Sequence, residues 1–137
     1  MEKASKTKRA EELQEDLGRF MKVLKAQKDY GKVDFVILHG SAAEGRALRE
    51  SDIDLCIGYT GNKKQQSDHR QNLLKELPSR FDIQMFDMLP LYVRKNVLRG
   101  KEIYVRDQRT VYDTAIRTIK DYELFRPRLM LYLGEKP

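Results

Sequence analysis

The sequence predicts an α+β (α/β) domain in which a small mixed β-sheet is flanked by helices. Its 137 residues are enough for one domain with a proper core, and 40% of them are hydrophobic. Short runs rich in β-branched and aromatic residues alternate with stretches whose apolar residues recur every three or four positions. Strands that alternate with helices in a chain of this size indicate a layered domain.

The predicted domain, 1–137, has three parts. An N-terminal helix is expected over about 10–28, after nine lysine-rich residues that we expect to be frayed. The core, about 33–106, and a C-terminal helical segment, about 108–133, follow. The predicted strands are 33–38, 52–57, 81–86 and 102–106. The predicted helices of the core are 42–48, 65–77 and 90–98, and a turn is expected at 58–62. The C-terminal segment comprises a helix over 110–124 and a helical stretch over 127–133.

Composition restricts the class of protein without deciding its function. The net charge of +6 suits a polyanionic partner, such as a nucleotide, a nucleic acid or an acidic protein, and equally suits a solvated basic surface. The single cysteine, Cys56, cannot form an internal disulfide bond. No apolar run is long enough to span a bilayer and no apolar segment follows the charged N-terminus, so we expect a cytoplasmic protein without a membrane partner.

A Gly-Ser turn and a pair of aspartates carry the chemical signal. Gly40 and Ser41 lie between a predicted strand and a predicted helix, where free backbone N–H groups bind phosphate. Asp52 and Asp54 are two apart on the next predicted strand, so both carboxylates project from one face, an arrangement that suits Mg²⁺. Each feature alone has a structural alternative: Ser41 and Glu44 form a capping box, and an isolated Asp-x-Asp is more often a turn cap and an exposed side chain. Together they favour a nucleoside triphosphate with its metal.

The residues around this motif exclude one phosphate-binding site and suggest further ligands. Gly40 and Gly45 have the glycine spacing of a P-loop, but Arg46 and Ala47 follow where Lys and Ser/Thr are required. The basic residues Arg46 and Arg49 are candidates for neutralising triphosphate oxygens. Lys63 and Lys64 are weaker candidates, and each basic residue taken singly is more often a solvated surface charge.

A third carboxylate would complete a site for two metal ions, and the third predicted strand offers Asp82 and Asp87. These two residues are five apart, so only one of them can face the site, and we favour Asp82 because Asp87 stands at the strand end. Cys56 is interpreted as a small core residue. His39 and His69 have no partner at metal-ligand spacing and receive no catalytic role.

The motif resembles that of the nucleotidyltransferase superfamily related to DNA polymerase β, and within it the minimal nucleotidyltransferases, or MntA-like antitoxins. The family signature of Gly-Ser, ten residues and Asp-x-Asp is met by Gly40-Ser41, 42–51 and 52–54. The segment Phe81-Asp82-Ile83 is similar to the third-carboxylate strand, and 89–104 is similar to the helix and strand that follow it. The resemblance covers most of the chain from Val33 onward. Cys56 and Gln84 depart from the family pattern; they remove no ligand, but the identity of the substrate stays open.

The resemblance implies a polymerase-beta-like fold and a nucleotidyltransferase that uses ATP as co-substrate. It implies two Mg²⁺ ions held by Asp52, Asp54 and Asp82, with Asp54 bridging both and Asp82 acting as the base. Gly40, Ser41 and Arg46 would hold the phosphates. The implied partner is a HEPN-domain toxin that accepts AMP on a tyrosine; its Arg-x4–6-His signature is absent from this sequence, so the toxin would be a separate chain.

Two alternatives to this function remain open from the sequence. The protein could be a non-catalytic antitoxin that neutralises its toxin by binding, with the apolar residues between 122 and 133 as contact surface, although these residues are more simply explained by packing on the sheet. It could also transfer a nucleotide to a nucleic acid or a small molecule, which the positive charge permits.

Overall fold

The computed structural model describes residues 2–40 and 52–134, which form four helices and four strands. Two short 3-10 turns, Tyr30–Lys32 and Phe86–Met88, precede β1 and follow β3. The predicted helix over 42–48 lies outside the described residues. The elements in chain order are α1 (Glu2–Lys25), β1 (Val33–His39), β2 (Ile53–Tyr59), α2 (Lys63–Glu76), β3 (Phe81–Met85), α3 (Leu91–Val97), β4 (Lys101–Val105) and α4 (Gln108–Tyr132).

The four strands form one mixed sheet in the order β3-β2-β1-β4, which confirms the predicted fold class. β1 is antiparallel to both of its neighbours, β2 and β4. β2 and β3 are parallel, and α2 is the crossover helix that parallel pairing requires. The parallel pair matters for the site because it brings the starts of β2 and β3 to the same end of the sheet.

Local sequence signals explain where α2 and α3 begin and end. The Asn62 side chain accepts a hydrogen bond from the Gln65 backbone N–H, and the Gln65 side chain accepts one from the Asn62 N–H, which is a complete capping box. Pro78 follows shortly after the last residue of α2 and cannot continue it. Pro90 directly precedes α3, where its fixed φ favours helix entry.

The two faces of the sheet are covered by different helices. On one face, Leu55 and Ile57 of β2 pack with Phe20 and Leu24 of α1 and Leu73 of α2, all of them buried. On the other face a smaller cluster joins the sheet to α3 and α4; it contains Phe35, Ile37, Cys56, Phe86, Val97 and Val111. The predicted alternation along β2 is therefore present, with Asp54 and Cys56 on the opposite face from Leu55 and Ile57.

Most element bounds differ from prediction by one to three residues, and three differences have a clear physical consequence or cause. α1 begins at Glu2 rather than near residue 10, because the lysine, glutamate and alanine residues of the first turns are good helix formers. β2 extends through Tyr59, which shortens the predicted turn at 58–62. α4 is continuous through Pro127, whose ring removes one backbone hydrogen bond from a stretch that solvent can reach. Within the described ranges, no helix has both the length and the apolar character needed to cross a membrane.

A buried polar cluster ties α2 to the end of β2 and to the loop after α1. His69 is fully buried, and its Nδ1 lies 3.0 Å from both carboxylate oxygens of Asp29. The Tyr59 hydroxyl donates to Asp29 Oδ2 at 2.8 Å. Burial raises the pKa of Asp29, but hydrogen bonds from Tyr59 and His69 and the His69 charge outweigh it, so the pKa lies below 3.8. His69 therefore holds the fold together at the end of the sheet opposite Asp54.

Replacing Tyr59 with phenylalanine should destabilise the protein by about 1–2 kcal/mol at neutral pH, because a hydrogen bond to a charged group is lost. The lowered pKa of Asp29 means that this stabilisation is present above about pH 4 and is lost as the pH falls through the folded-state pKa. Urea unfolding at pH 7 and at pH 3 measures the difference. Tyr112→Phe, at an exposed position, is the control, and an equal loss at both pH values would contradict the charge-assisted bond.

Candidate active site

The structure places Asp54 and Asp82 side by side at one end of the parallel pair. Asp54 is the second residue of β2, Asp82 is the second residue of β3, and the two are direct partners in the strand register. Neighbouring strands lie about 4.8 Å apart, so side chains on the same face of paired positions are in contact. The two carboxyl groups share a hydrogen bond, and Asp52, exposed just before β2, lies close enough to act on Asp54 through its charge.

This crowding raises the pKa of Asp54 to about 6. Partial burial is the largest cause, followed by the charge of Asp82, the hydrogen bond with Asp82 and the charge of Asp52. Burial disfavours the charged form of the Asp54 carboxyl group, and the neighbouring carboxylates disfavour it further. A cation bound between the carboxylates would remove that cost.

The donor set fits Mg²⁺, which prefers hard oxygen ligands and is usually held by one or two carboxylates together with substrate phosphates and water. Asp54 and Asp82 supply such a pair, with Asp52 beside them. No group of three or more His, Cys, Asp or Glu side chains within residues 2–40 and 52–134 is arranged to hold a metal ion. The described part of the chain therefore offers a carboxylate pair that phosphate oxygens would complete, rather than a closed protein cage.

Gly40 lies against the carboxylate of Asp54. The preceding residue, His39, ends β1 and is the register partner of Asp54. A Cβ atom built on Gly40 would stand 2.3 Å from Asp54 Oδ2, and the backbone has φ +73°, a conformation that L side chains rarely adopt. Both observations favour glycine here, so Gly40 and the strand that carries Asp54 meet in space.

Gln84 contacts Asp82 and was given no role from the sequence. Its Nε2 donates to Asp82 Oδ1 at 3.0 Å, because residues two apart on β3 share a face. An amide donor on a carboxylate favours the charged form and fixes its orientation. The only sequence signal for this contact was a polar residue two positions after the aspartate in a strand.

The other candidate for the third carboxylate, Asp87, is placed elsewhere. It lies in the 3-10 turn after β3 and accepts a hydrogen bond from Gln66 Nε2 of α2 at 3.1 Å. The regular strand ends at Met85, so the turn carries Asp87 away from the register that pairs Asp82 with Asp54.

The candidate phosphate-binding residues other than Gly40 divide into two groups. Ser41, Arg46 and Arg49 lie outside the described residues. Lys63 and Lys64 begin α2 after β2 has run its length, so they lie at the opposite end of the strand from Asp54, about 17 Å away along it. The structure does not bring these two lysines to the carboxylate pair.

Two further side chains lie near the carboxylates, the half-buried His39 and the buried Cys56. Burial lowers the pKa of His39 below 6.5, against the opposing effect of the Asp82 charge, so the imidazole is neutral at pH 7. Burial and the Asp87 charge raise the pKa of the Cys56 thiol to about 12, which keeps it protonated in the core. The interpretation of Cys56 as a core residue agrees with its position.

Replacing Asp54 with asparagine should stabilise the metal-free protein at alkaline pH. A raised folded-state pKa favours folding below about pH 4, and this contribution is lost as the pH rises through about 6. Asparagine stays neutral throughout, so its advantage over aspartate should grow between pH 4 and 7 to roughly 1–2 kcal/mol, after reduction by solvent screening. Unfolding in urea with a chelator present, with exposed Asp121→Asn as the control, measures it; a pH-independent difference would contradict the assigned crowding.

A model of the family described as Polymerase beta, Nucleotidyltransferase matches residues 21–109. The chain belongs to this family. This nucleotidyltransferase is 30% identical over 78 residues to a protein of Methanocaldococcus jannaschii named "Putative protein adenylyltransferase". The aligned segment covers 56% of this chain and 59% of that relative, which is less than two thirds of the relative's length.

The fold of this nucleotidyltransferase is similar to solved toxin-antitoxin structures over most of the chain. One such structure, with AMP-PNP, has a TM-score of 0.71 at 20% identity and covers 87% of this chain and 96% of its own. An MntA-HepT structure has a TM-score of 0.66 at 18% identity, with 88% and 96% covered. A structure of tri-AMPylated Shewanella oneidensis HEPN toxin in complex with MNT antitoxin has a TM-score of 0.66 at 18% identity, with 88% and 95% covered. These likenesses establish the predicted polymerase-beta-like fold.

Proposed function

We propose that this nucleotidyltransferase is a Mg²⁺-dependent adenylyltransferase that transfers AMP from ATP to a tyrosine hydroxyl of a HEPN-domain toxin. The observation that carries the proposal is the contact of Asp54 with both Asp82 and Gly40, because it joins a carboxylate pair to the turn that binds phosphate. The names of the similar proteins supply the acceptor: one is a protein adenylyltransferase by name, and another is an antitoxin in complex with an AMPylated toxin.

Each site residue has a defined part in this reaction. Asp54 and Asp82, with Asp52 beside them, would hold Mg²⁺. When bound, Mg²⁺ neutralises the charge that develops on the phosphate oxygens. Gly40, with Ser41 and Arg46, would hold the β- and γ-phosphates, since a glycine with no Cβ lets the backbone approach them closely.

The transfer itself is an in-line displacement at the α-phosphorus. The acceptor oxygen bonds to the α-phosphorus, the bond to the β-phosphate oxygen breaks and pyrophosphate leaves. Asp82 takes the hydroxyl proton, and Gln84 keeps its carboxylate oriented through Oδ1. Most of the rate enhancement comes from positioning and electrostatic stabilisation.

Radiolabelled ATP tests this proposal directly. The protein, Mg²⁺ and a candidate HEPN-domain toxin are incubated with ATP carrying ³²P at the α-phosphate, and separately with the label at the γ-phosphate. We expect label on the toxin from the α position only, on a tyrosine identified by mass spectrometry. Label from the γ position would show kinase chemistry, and no label from either would contradict adenylyl transfer to that partner.

One observation favours a second function, neutralisation by binding. Apolar side chains on and just after the last turns of α4 are exposed instead of packed on the sheet; Leu124 is 81% exposed and Leu131 68%. Exposed apolar side chains grouped on one segment are typical of interaction surfaces. An antitoxin that acts by covering its toxin would need such a surface and would not need the carboxylates.

A further inference from the structure

A cavity beyond the outer strand of the sheet has no part in the function described so far. It has a volume of about 250 Å³ and opens between α2 and β3. Its lining is polar with two methionines and consists of Ser67, Arg70, Gln71, Gln84, Met85 and Met88. One of these, Gln84, also donates a hydrogen bond to Asp82, so the same side chain lines the cavity and contacts the Asp82 carboxylate.

Arg70 is the charged group of this cavity and is held in place by the sheet. Its Nε donates to the Ile83 carbonyl oxygen at 2.7 Å, which fixes the guanidinium at the outer edge of β3. Its two terminal nitrogens have no hydrogen bond or ion pair within residues 2–40 and 52–134. A guanidinium that is anchored by one nitrogen and open at the others is suited to bind a carboxylate with two parallel hydrogen bonds.

The order of the residues across the sheet shows on which side of the carboxylate pair the cavity lies. Gly40 follows β1, Asp54 is on β2, Asp82 is on β3, and the cavity lies beyond β3. An in-line displacement requires the attacking oxygen and the leaving group on opposite sides of the phosphorus. If pyrophosphate leaves on the side of Gly40, the acceptor would approach from the side of Asp82, which is the side of the cavity.

We infer that this cavity is the acceptor subsite of the enzyme, and that it takes a peptide segment in which an acidic side chain lies beside the acceptor tyrosine. The inference rests on the proposed function and specifies its substrate. Arg70 binds the acidic side chain, and the exposed Met88 contacts the aromatic ring, since thioether sulfur and aromatic rings pack favourably. The net charge of +6 further favours an acidic partner.

Peptide binding to the full-length chain tests the inference. Two fluorescein-labelled peptides are compared by anisotropy, one with a tyrosine flanked by aspartate and glutamate and one with the same tyrosine flanked by lysines. We expect the wild type to prefer the acidic peptide at least tenfold, and Arg70→Glu to reverse that preference. Gln71→Glu, at an exposed position in the lining, should weaken acidic-peptide binding severalfold without disturbing the fold, while Lys75→Gln, exposed on α2 outside the cavity, should change nothing.

Affinity for a fluorescent ATP analogue, measured on the same variants, separates this inference from the proposed function. We expect it to stay within twofold of wild type in every variant. Two results with unchanged ATP affinity would overturn the acceptor subsite. One is that the wild type does not prefer the acidic peptide, and the other is that the wild type and Gln71→Glu bind the acidic peptide with the same affinity. A parallel loss of ATP affinity in Arg70→Glu and Gln71→Glu would also overturn it, because the cavity would then belong to the nucleotide. Loss of ATP binding by the wild type itself would instead remove the proposed enzyme.

Discussion

Asp54→Asn should reduce AMP transfer at least about 1,000-fold, which corresponds to roughly 4 kcal/mol of activation free energy. Asparagine preserves the size of the side chain and removes the charge that would hold the metal beside Asp82. Asp52→Asn and Asp82→Asn should act in the same direction. Initial rates of label transfer from ATP, with thermal unfolding to confirm the fold, measure the effect.

The matched control for these variants is Asp87→Asn. Asp87 is the alternative third carboxylate of the same segment, and its partner is Gln66 rather than Asp54. It should keep at least about half of the wild-type rate. A large loss in Asp87→Asn combined with a small loss in Asp82→Asn would reverse the assignment of the third carboxylate.

The same variants distinguish catalysis from binding as the means of neutralisation. If transfer neutralises the toxin, cells that carry the toxin with Asp52→Asn/Asp54→Asn should stop growing, although the two proteins still associate. If the protein acts by covering the toxin through α4, these cells should grow normally. Undiminished labelling of the toxin by the double variant would refute the enzyme altogether.

Gly40→Ala should lower the transfer rate at least about 100-fold and destabilise the fold by about 1–2 kcal/mol. The new Cβ would stand 2.3 Å from Asp54 Oδ2, so the carboxylate must leave its present position beside Asp82. The positive φ adds a cost of about 1 kcal/mol for any residue with a Cβ. Both changes fall on the one point where Gly40 meets the strand that carries Asp54.

Gly18→Ala is the control for the backbone change. No atom lies within 4 Å of a Cβ at Gly18, which is inside α1, so alanine there should stabilise the helix by up to about 1 kcal/mol and leave the transfer rate unchanged. Rates and unfolding midpoints of both variants are compared in one series. A wild-type rate for Gly40→Ala would show that the contact with Asp54 has no part in the reaction.

Much of the fold was predictable because its signals are local. The alternation in β2, the cap of α2 and the proline before α3 each depend on a few neighbouring residues. The largest error was local too, because the first nine residues, expected to be frayed, are helical from Glu2 onward. The exposure of Leu124 and Leu131 was not predicted, because an apolar helix face does not itself reveal whether anything covers it.

Only part of the candidate site could be predicted from local sequence signals. Asp52, Asp54 and Gly40 belong to one short motif with fixed spacing, whereas Gln84 and Arg70 acquire their roles through contacts across β3. His69 was given no role, and its partner Asp29 is forty residues away in the chain. No spacing rule connects such residues.

The sequence by itself determined the kinds of element, the Gly-Ser/Asp-x-Asp motif and the family, because these depend on residue type and short-range spacing. Only the tertiary structure decided that Asp82 and not Asp87 faces Asp54, that Gly40 touches the same carboxylate, and that Arg70 lines a cavity beside Gln84. The physical reason is the parallel register of β2 and β3. Pairing between distant segments is set by the packing of the whole sheet, and a shift of one residue in this register would turn Asp82 to the other face.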